Sequence, residues 1–390
     1  MRDAVIVDVV RTPSGKGKPG GALSQLHPVD LLAATLRELL ARNEIDPALV
    51  EDVIGGCVTQ AGAQAANITR SAVLAAGFPV SVPATTVDRQ CGSSQQALHF
   101  AAHAVLAGAA DVLIACGVES MSLAPLWSNV GDADPYGTGV ADRFPGGLIQ
   151  QGTAAELVAA RWKLSREELD EYACASHQRA AAATADGVFA ADLVAVPDCP
   201  LTQDETIRPG TTVEQLSRLK PSFADERMAQ RFPEIDWRVT AGNSSPLTDG
   251  ASAALVMSAD AAARLGLRPR ARVHTTAVAG DDPVLMLMGV LPATQKVLGR
   301  AGLSVRDIDA FEVNEAFACV PLAWRREFEV PEDKLNRHGG AIALGHPLGA
   351  SGVRIASTLI ETLERLDARF GLQTMCEAGG MANATIIERL

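Results

Sequence analysis

LLARNEIDPALVEDVI (residues 39–54) and VLGRAGLSVRDIDAFE (residues 297–312) carry the same apolar pattern. Ile45 falls on Leu303, Val50 on Ile308 and Val53 on Phe311, all at an offset of 258 (303 − 45). In each stretch an apolar-periodic helix leads through a polar turn into a β-branched or aromatic strand. The helices are expected over Val29 to Ala41 and Ala293 to Gly299, and the strands near Val53-Ile54 and over Ala310 to Val313. Ser304 and Asp307 have the spacing of a capping box. A second pair of segments lies at nearly the same offset. CGSSQQALHFAAHAVLAG, opened by Cys91, runs into a strand at Val112-Leu113-Ile114, and GHPLGASGVRIASTLIETL, around His346, runs into Gly371 to Met375 (346 − 91 gives 255). A pattern that recurs once over such a distance indicates a duplicated α/β domain, not a solenoid.

Between the halves the character changes. Pro and Gly punctuate Pro135 to Gly147, a helix is expected from Ser165 through Arg179 with Glu168 completing its cap, and an Arg/Lys/Pro-rich loop follows the acidic turn Asp204-Glu205. The expected organisation is a first half over 1–118 completed by 250–268, an inserted loop subdomain over 119–249, and a second half over 269–390. Inserted loops on a rigid frame commonly carry substrate contacts.

Composition bounds the function. With 390 residues, 47% hydrophobic and 21% charged, the chain can bury a large core. A net charge of −12 without a Lys/Arg block argues against nucleic acid. The N-terminal run MRDAVIVDVVRTP is interrupted by Asp3 and Asp8, and no apolar stretch approaches a membrane span, so a cytoplasmic protein is expected. The seven cysteines are scattered without a C-x-x-C pair, which argues against a disulfide framework and structural zinc.

Four segments carry chemistry. In VDRQCGSSQQAL, a β-branched run ends at Val87 and a helix follows Cys91, so the thiol is expected at a helix N-terminus, where free N–H groups favour thiolate. A buried structural cysteine fits that segment equally well. HGGAIALGHPLGASG is glycine-dense around His346, which favours close approach of a ligand and an imidazole acting as base or oxyanion donor. His338 reads as structural. In MCEAGGMANATII, Cys376 ends an apolar strand and could carry a proton. EVNEAFA sets Asn314 and Glu315 between a strand and a helix, where an amide could hold a water and a carboxylate could orient an imidazole.

Together with RTPSGK at Arg11 to Lys16, these segments resemble the thiolase family over essentially the whole chain; GGAIALGHPLGASG and NEAFA are its most specific signatures. The resemblance implies a thiolase fold, with two duplicated βαβαβαββ-type halves in a layered α-β-α-β-α core. It implies Cys91 as the acylated nucleophile, His346 as its base, and Cys376 as general acid/base at the α-carbon of acetyl-CoA. Asn314 would hold a water that stabilises the thioester enolate with His346, Glu315 would orient the histidine side, and the N–H groups of Cys91 and Ala378 would form the oxyanion hole. Ser245 in AGNSSPLTDG, Arg208 in IRPG and Phe223 in LKPSF match positions for pantetheine, nucleotide and acyl contacts.

The implied reaction is CoA-dependent thiolysis of 3-ketoacyl-CoA to acetyl-CoA and a shortened acyl-CoA, with the reverse Claisen condensation. Coenzyme A and acyl-CoA are substrates, no tightly bound cofactor or metal is called for, and a homodimer or homotetramer is expected. The alternatives are a biosynthetic acetoacetyl-CoA thiolase and a non-catalytic thiolase-like lipid-binding protein; the second predicts loss of the reactive residues, which are all here. Four features depart from the family pattern. Ala378 and Ala382 replace glycines, Gln150-Gln151 replace a His-Met pair, Pro246 follows Ser245, and the Phe223 loop is long, through Asp236-Trp237. The Gln pair and the long loop lean toward the degradative class. The oxyanion hole requires that Ala378 avoid positive φ.

Overall fold

The computed structural model describes residues 2–390. Its strands are β1 (Ala4–Arg11), β2 (Gly15–Lys16), β3 (Asp52–Gly56), β4 (Ala84–Val87), β5 (Val112–Ser120), β6 (Thr248–Ser258), β7 (Ala271–Gly280), β8 (Ala310–Val313), β9 (Phe370–Glu377) and β10 (Met381–Arg389). Hydrogen bonding runs β4-β3-β5-β6-β1-β7-β10-β9-β8, with β2 on β6. Apart from the extra outer strand β4, the order is symmetric about the β1–β7 junction, which is only two residue pairs long (Val5 with Arg272, Ile6 with Ala271). On each side a parallel pair, β3/β5 or β8/β9, is followed by two antiparallel ones, and in the first half β4 adds a second parallel pair on β3. Even the irregularity repeats: the ladder skips Val7 in β1 and His274 in β7, each the fourth residue of its strand.

The offset read from the sequence persists through the fold. The short 3₁₀ turns Pro47–Leu49 and Val305–Asp307, strands β3 and β8, helices Ser93–Ala107 and Ser351–Leu366, and strands β5 and β9 each begin 258 residues apart (305 − 47, 310 − 52, 351 − 93 and 370 − 112). By that register the counterpart of Cys91 is Gly349, not His346. The two chemical segments are therefore related through their helices and not residue by residue.

Side-chain alternation along the strands sorts the core into layers. Val112, Ile114, Cys116 and Val118 of β5 face outward onto Leu32, Leu36 and Leu39 of helix Pro28–Arg42. Leu113 and Ala115 face inward onto Leu98 and Ala101 of Ser93–Ala107 and Val353 and Ile360 of Ser351–Leu366. From the other half, Ala310 and Ile387 reach the same inner layer, while Phe311, Val313, Ala384 and Ile386 face outward toward helix Val290–Ala301. The two central helices are thus held between the half-sheets, giving the α-β-α-β-α arrangement. Both are buried almost all round, which is why their polar N-terminal residues Ser93, Ser94 and Ser351 sit inside the molecule.

The segment between β5 and β6 contributes helices Gly137–Arg143, Gln151–Arg161, Arg166–Ala185, Val213–Ser217 and Glu226–Arg231. Ser165 caps the longest with both bonds of a capping box, as its sequence predicts, and the helix runs six residues past Arg179. Gly137–Arg143 lies where Pro and Gly suggested only loop; it is exposed along its length. Leu157, Val158, Leu164 and Leu169 join the outer core of the second half. The acidic turn clasps the N-terminal segment. Asp204 receives Arg11 at 2.7 and 2.9 Å and the Ser14 N–H at 2.8 Å, all buried. Glu205 accepts the N–H groups of Lys16 and Ala22. RTPSGK is therefore architectural.

Candidate active site

After β4 the chain makes a tight elbow. Gln90 adopts a left-handed φ of 49°, uncommon for a residue with a side chain. Ser93, at the start of the following helix, fixes it by donating to the Gln90 carbonyl (2.6 Å) and accepting the Arg89 N–H (2.9 Å). Cys91 rides on this elbow, one residue before the cap position Gly92, with 3% of its surface exposed. It packs with Val58, Met121, Leu348, Ile355 and Met375.

Burial, reinforced by the Glu377 carboxyl, pushes the Cys91 thiol up to about 12; a hydrogen bond with the Gln151 side chain pulls the other way. The position was expected to favour thiolate, but in this apolar nest desolvation outweighs the helix terminus. The resting group is a neutral thiol, and its proton must leave as it attacks.

His346 supplies a base in the matching state. Ser351 donates its hydroxyl proton to the Pro347 carbonyl (2.9 Å), so its oxygen accepts from His346 Nδ1–H at 2.6 Å. That fixes the tautomer and leaves Nε2 as the basic nitrogen, met by Asn314 Nδ2 at 3.3 Å. The main-chain N–H of His346 is anchored on Thr248 Oγ1 (2.7 Å). Burial and the nearby Arg354 lower the imidazole to about 3, so it is neutral at rest with its Nε2 lone pair unprotonated.

Cys91 and His346 line one cavity of about 370 Å³, walled chiefly by Met121, Leu126, Trp127, Phe223, Leu247 and Phe317. Ser245 lines it too, its N–H donated to the Ala316 carbonyl, and so do Gln150, Gln151 and Pro246. Phe223 stands edge-on to Phe317, with centroids 5.8 Å apart.

Cys376, next to last in β9, is buried and is not one of the residues that line the cavity. Burial and then the charge of Cys91 raise its thiol, so the two sulfurs are near enough to feel each other. Asn314 is buried, with its Oδ1 unpartnered among the described residues. Ala378 begins the turn between β9 and β10 and is not among the residues with positive φ; Gly379 and Gly380 take the left-handed conformations at 81° and 77°.

Two candidates sit elsewhere. Glu315 makes no hydrogen bond to His346. Its carboxylate accepts Tyr172 Oη (2.8 Å), Ser176 Oγ (2.7 Å), Asn336 Nδ2 (3.0 Å) and the Ile342 N–H (3.1 Å). It thereby ties the inserted helix to the glycine-dense segment and acts on the imidazole only through the backbone. Arg208 is exposed outside the cavity lining, its N–H on His177 Nδ1.

Sequence reasoning missed Ser351 and Glu119, and read Gln151 only as a departure from the family pattern, not as a partner of Cys91. Glu119, at the end of β5, accepts the N–H groups of Val58, Thr59 and Gly349 and so ties the nucleophile's wall to the His346 loop. Ser351 had a signal, a hydroxyl in GASG at the same register as Ser93. Glu119 had none, because its partners come from two segments far from it in sequence.

The family models for the thiolase N-terminal and C-terminal domains match residues 4–260 and 267–389. Steroid 3-ketoacyl-CoA thiolase FadA6 of Mycobacterium tuberculosis is 46% identical over 400 residues, covering 100% of this chain and 95% of that one. A 3-ketoacyl-CoA thiolase of Erwinia tasmaniensis is 47% identical, with both chains covered in full. The crystal structure of the Bacillus anthracis acetyl-CoA acetyltransferase superposes with a TM-score of 0.88 at 36% identity, covering 100% of this chain and 99% of that one. With both halves, their junction and the full length accounted for, the chain belongs to the thiolase family.

Proposed function

We propose that the protein cleaves 3-ketoacyl-CoA with coenzyme A, giving acetyl-CoA and a shortened acyl-CoA, through an acyl-Cys91 intermediate. The observation that carries this reading is the shared cavity: a neutral thiol and a neutral imidazole of fixed tautomer open onto one apolar space. The Cys91 sulfur attacks the 3-keto carbon while His346 Nε2 takes its proton. The N–H groups of Cys91 and Ala378 stabilise the oxyanion. The Cα–Cβ bond breaks, its electron pair passes to the acetyl-CoA enolate, and Cys376 protonates that carbon. Asn314 and a water it holds, with His346, stabilise the enolate oxygen. Incoming CoA then gives its thiol proton to the Cys376 thiolate and attacks the acyl-Cys91 carbonyl, and the Cys91 sulfur leaves with the proton that His346 returns.

Nucleophile, base and acid all come from the chain and both substrates are thioesters or thiols, so the balance needs no tightly bound cofactor. Ser245 and Phe223 serve the pantetheine and acyl parts, and Arg208 the nucleotide at the mouth. The working division is the first half (1–118 with 250–268), the insert (119–249) and the second half (269–390). A homodimer or homotetramer is supported by the free outer edge of β4 and by Val80 and Phe100, both exposed. A cytoplasmic setting suits seven free cysteines among the described residues, where no helix is long and apolar enough to cross a membrane. The names of the relatives, 3-ketoacyl-CoA thiolases, favour a role in fatty-acid or related acyl-chain breakdown.

The likeness to an acetyl-CoA acetyltransferase keeps a second reading, condensation of two acetyl-CoA molecules. A steady-state thiolysis panel over acyl chain lengths separates the two. Turnover of several chain lengths supports the degradative reading, and activity confined to acetoacetyl-CoA would replace it with the biosynthetic one.

A further inference from the structure

Behind the nucleophile lies a polar pair that the mechanism above does not use. Glu377 and Asn383 project from the same face of neighbouring strands β9 and β10, the face shared with Met375 and opposite to Cys376. Both are wholly buried. Both Glu377 oxygens and Asn383 Oδ1 have no hydrogen-bond partner among the described residues. They converge on Gly92, the residue after Cys91. A Cβ there would stand 2.0 Å from Glu377 Oε1, 2.8 Å from Asn383 Oδ1 and 2.9 Å from Asn383 Nδ2, which is why the position is glycine although its φ is an ordinary −85°. The Asn383 amide is already oriented, because its Nδ2 donates to the Gly92 carbonyl at 3.1 Å.

Buried acceptor groups left without a donor are costly. A proton on one removes the conflict, since a protonated carboxyl is a donor and an amide oxygen accepts. Burial also pushes the Glu377 carboxyl well above the usual carboxylate range, against the opposing pull of Arg89 and of the nearby Asn383 main-chain N–H, which does not complete a hydrogen bond to it; Asp88 adds to the rise.

We propose that Glu377 is a neutral carboxylic acid that donates to Asn383 Oδ1, and that the chain Glu377–Asn383–Gly92 fixes the nucleophile elbow against the β9–β10 turn. Glu377 is then a positioning residue, one bond from Ala378 on one side and braced against Gly92 on the other. It holds in register the two segments whose N–H groups form the oxyanion hole in the reading above, on which this inference rests. Its neutrality matters as well. An anion here contributes to the rise of the Cys91 and Cys376 thiols; a neutral carboxyl removes that contribution and favours the thiolate that attack requires. The charged or titratable groups on its side are Arg89 and Asp88 from the elbow and Cys91 itself; Cys376, its neighbour on the strand, points to the opposite face.

Glu377→Gln preserves the donor and the charge of a neutral acid, whereas Glu377→Leu keeps only the bulk. At pH 7 the E377Q enzyme is expected to label at Cys91 with iodoacetamide, and to turn over, within about threefold of the parent. E377L is expected to lose roughly tenfold to a hundredfold in kcat with KM little changed, as the elbow drifts. The parent-minus-E377Q infrared difference spectrum should contain the carbonyl band of a protonated carboxylic acid. Carboxylate bands alone would overturn the proposal, as would roughly tenfold faster labelling in E377Q, the mark of a removed anion. Labelling and infrared need no substrate, so they stand apart from failure of the thiolase reading, which shows as absence of an acyl-Cys91 adduct in the parent.

Discussion

Ser93 and Ser351 occupy the same place in the two halves, at the first residue of the paired central helices 258 positions apart. Each turns its hydroxyl back to a carbonyl a few residues earlier, Ser93 to Gln90 and Ser351 to Pro347. They differ in what the spare lone pair receives. In the first half it takes the Arg89 N–H and tightens an elbow whose tip is a thiol. In the second it takes an imidazole N–H and sets a tautomer. The duplicated frame thus supplies one device, a hydroxyl at a buried helix start. The lead-in loops, where the halves do not match residue for residue, supply the chemistry.

That contrast can be tested by variants. The largest expected effect is at the elbow tip. Cys91→Ala should lower thiolysis at least about a thousandfold and abolish the covalent acyl adduct, measured by intact mass after a substrate pulse. Next come the proton carriers. His346→Ala should cost on the order of a hundredfold to ten-thousandfold in kcat and slow iodoacetamide labelling of Cys91; an unchanged labelling rate would separate the imidazole from the thiol. Cys376→Ser should cost a similar factor in carbon–carbon cleavage while Cys91 is still acylated from acetyl-CoA. Loss of both activities would mean that Cys376 supports the nucleophile instead of the α-carbon.

The serines themselves sharpen the comparison most finely. Ser351→Ala should reduce kcat about tenfold with little change in thermal midpoint, because it frees the tautomer. Ser93→Ala should do the reverse, losing about 1 kcal/mol of stability and little turnover once the elbow is formed. Equal effects would erase the distinction drawn here. The smallest effect is a slope. With the thiol held up near 12 and the imidazole down near 3, Cys91 labelling in the free enzyme should rise steadily with pH between 6 and 9 without a plateau. A plateau in that range would mean a thiolate already formed at rest.

Local pattern accounts for what could be read before folding. The strand Ala310–Val313, the capping box at Ser165 and the offset of 258 depend on neighbours a few residues apart, and each stands in the structure. The four chemical segments were legible because glycine density and a lone His or Cys beside it are uncommon in a purely structural stretch. What was not legible depends on distant partners. Nothing near Arg11 announces Asp204, and nothing near Glu315 announces Tyr172 and Ser176 on the inserted helix. The protonation state of Cys91 belongs to the same class. A helix terminus is visible in sequence, but the desolvating nest of Val58, Ile355 and Met375 is not. Helix Gly137–Arg143 escaped because three Gly and Pro residues precede or open it, and propensity alone reads them as loop.

The central claim is that one sulfur, at position 91, carries the acyl group between two thioesters. The direct test is to mix the enzyme with a 3-ketoacyl-CoA in the absence of free CoA, quench with acid, and map the modified peptide by mass spectrometry. An acyl group shortened by two carbons on the Cys91 peptide is the predicted result. The same mass found on the Cys376 peptide, or no covalent acyl species while cleavage proceeds, would contradict the account.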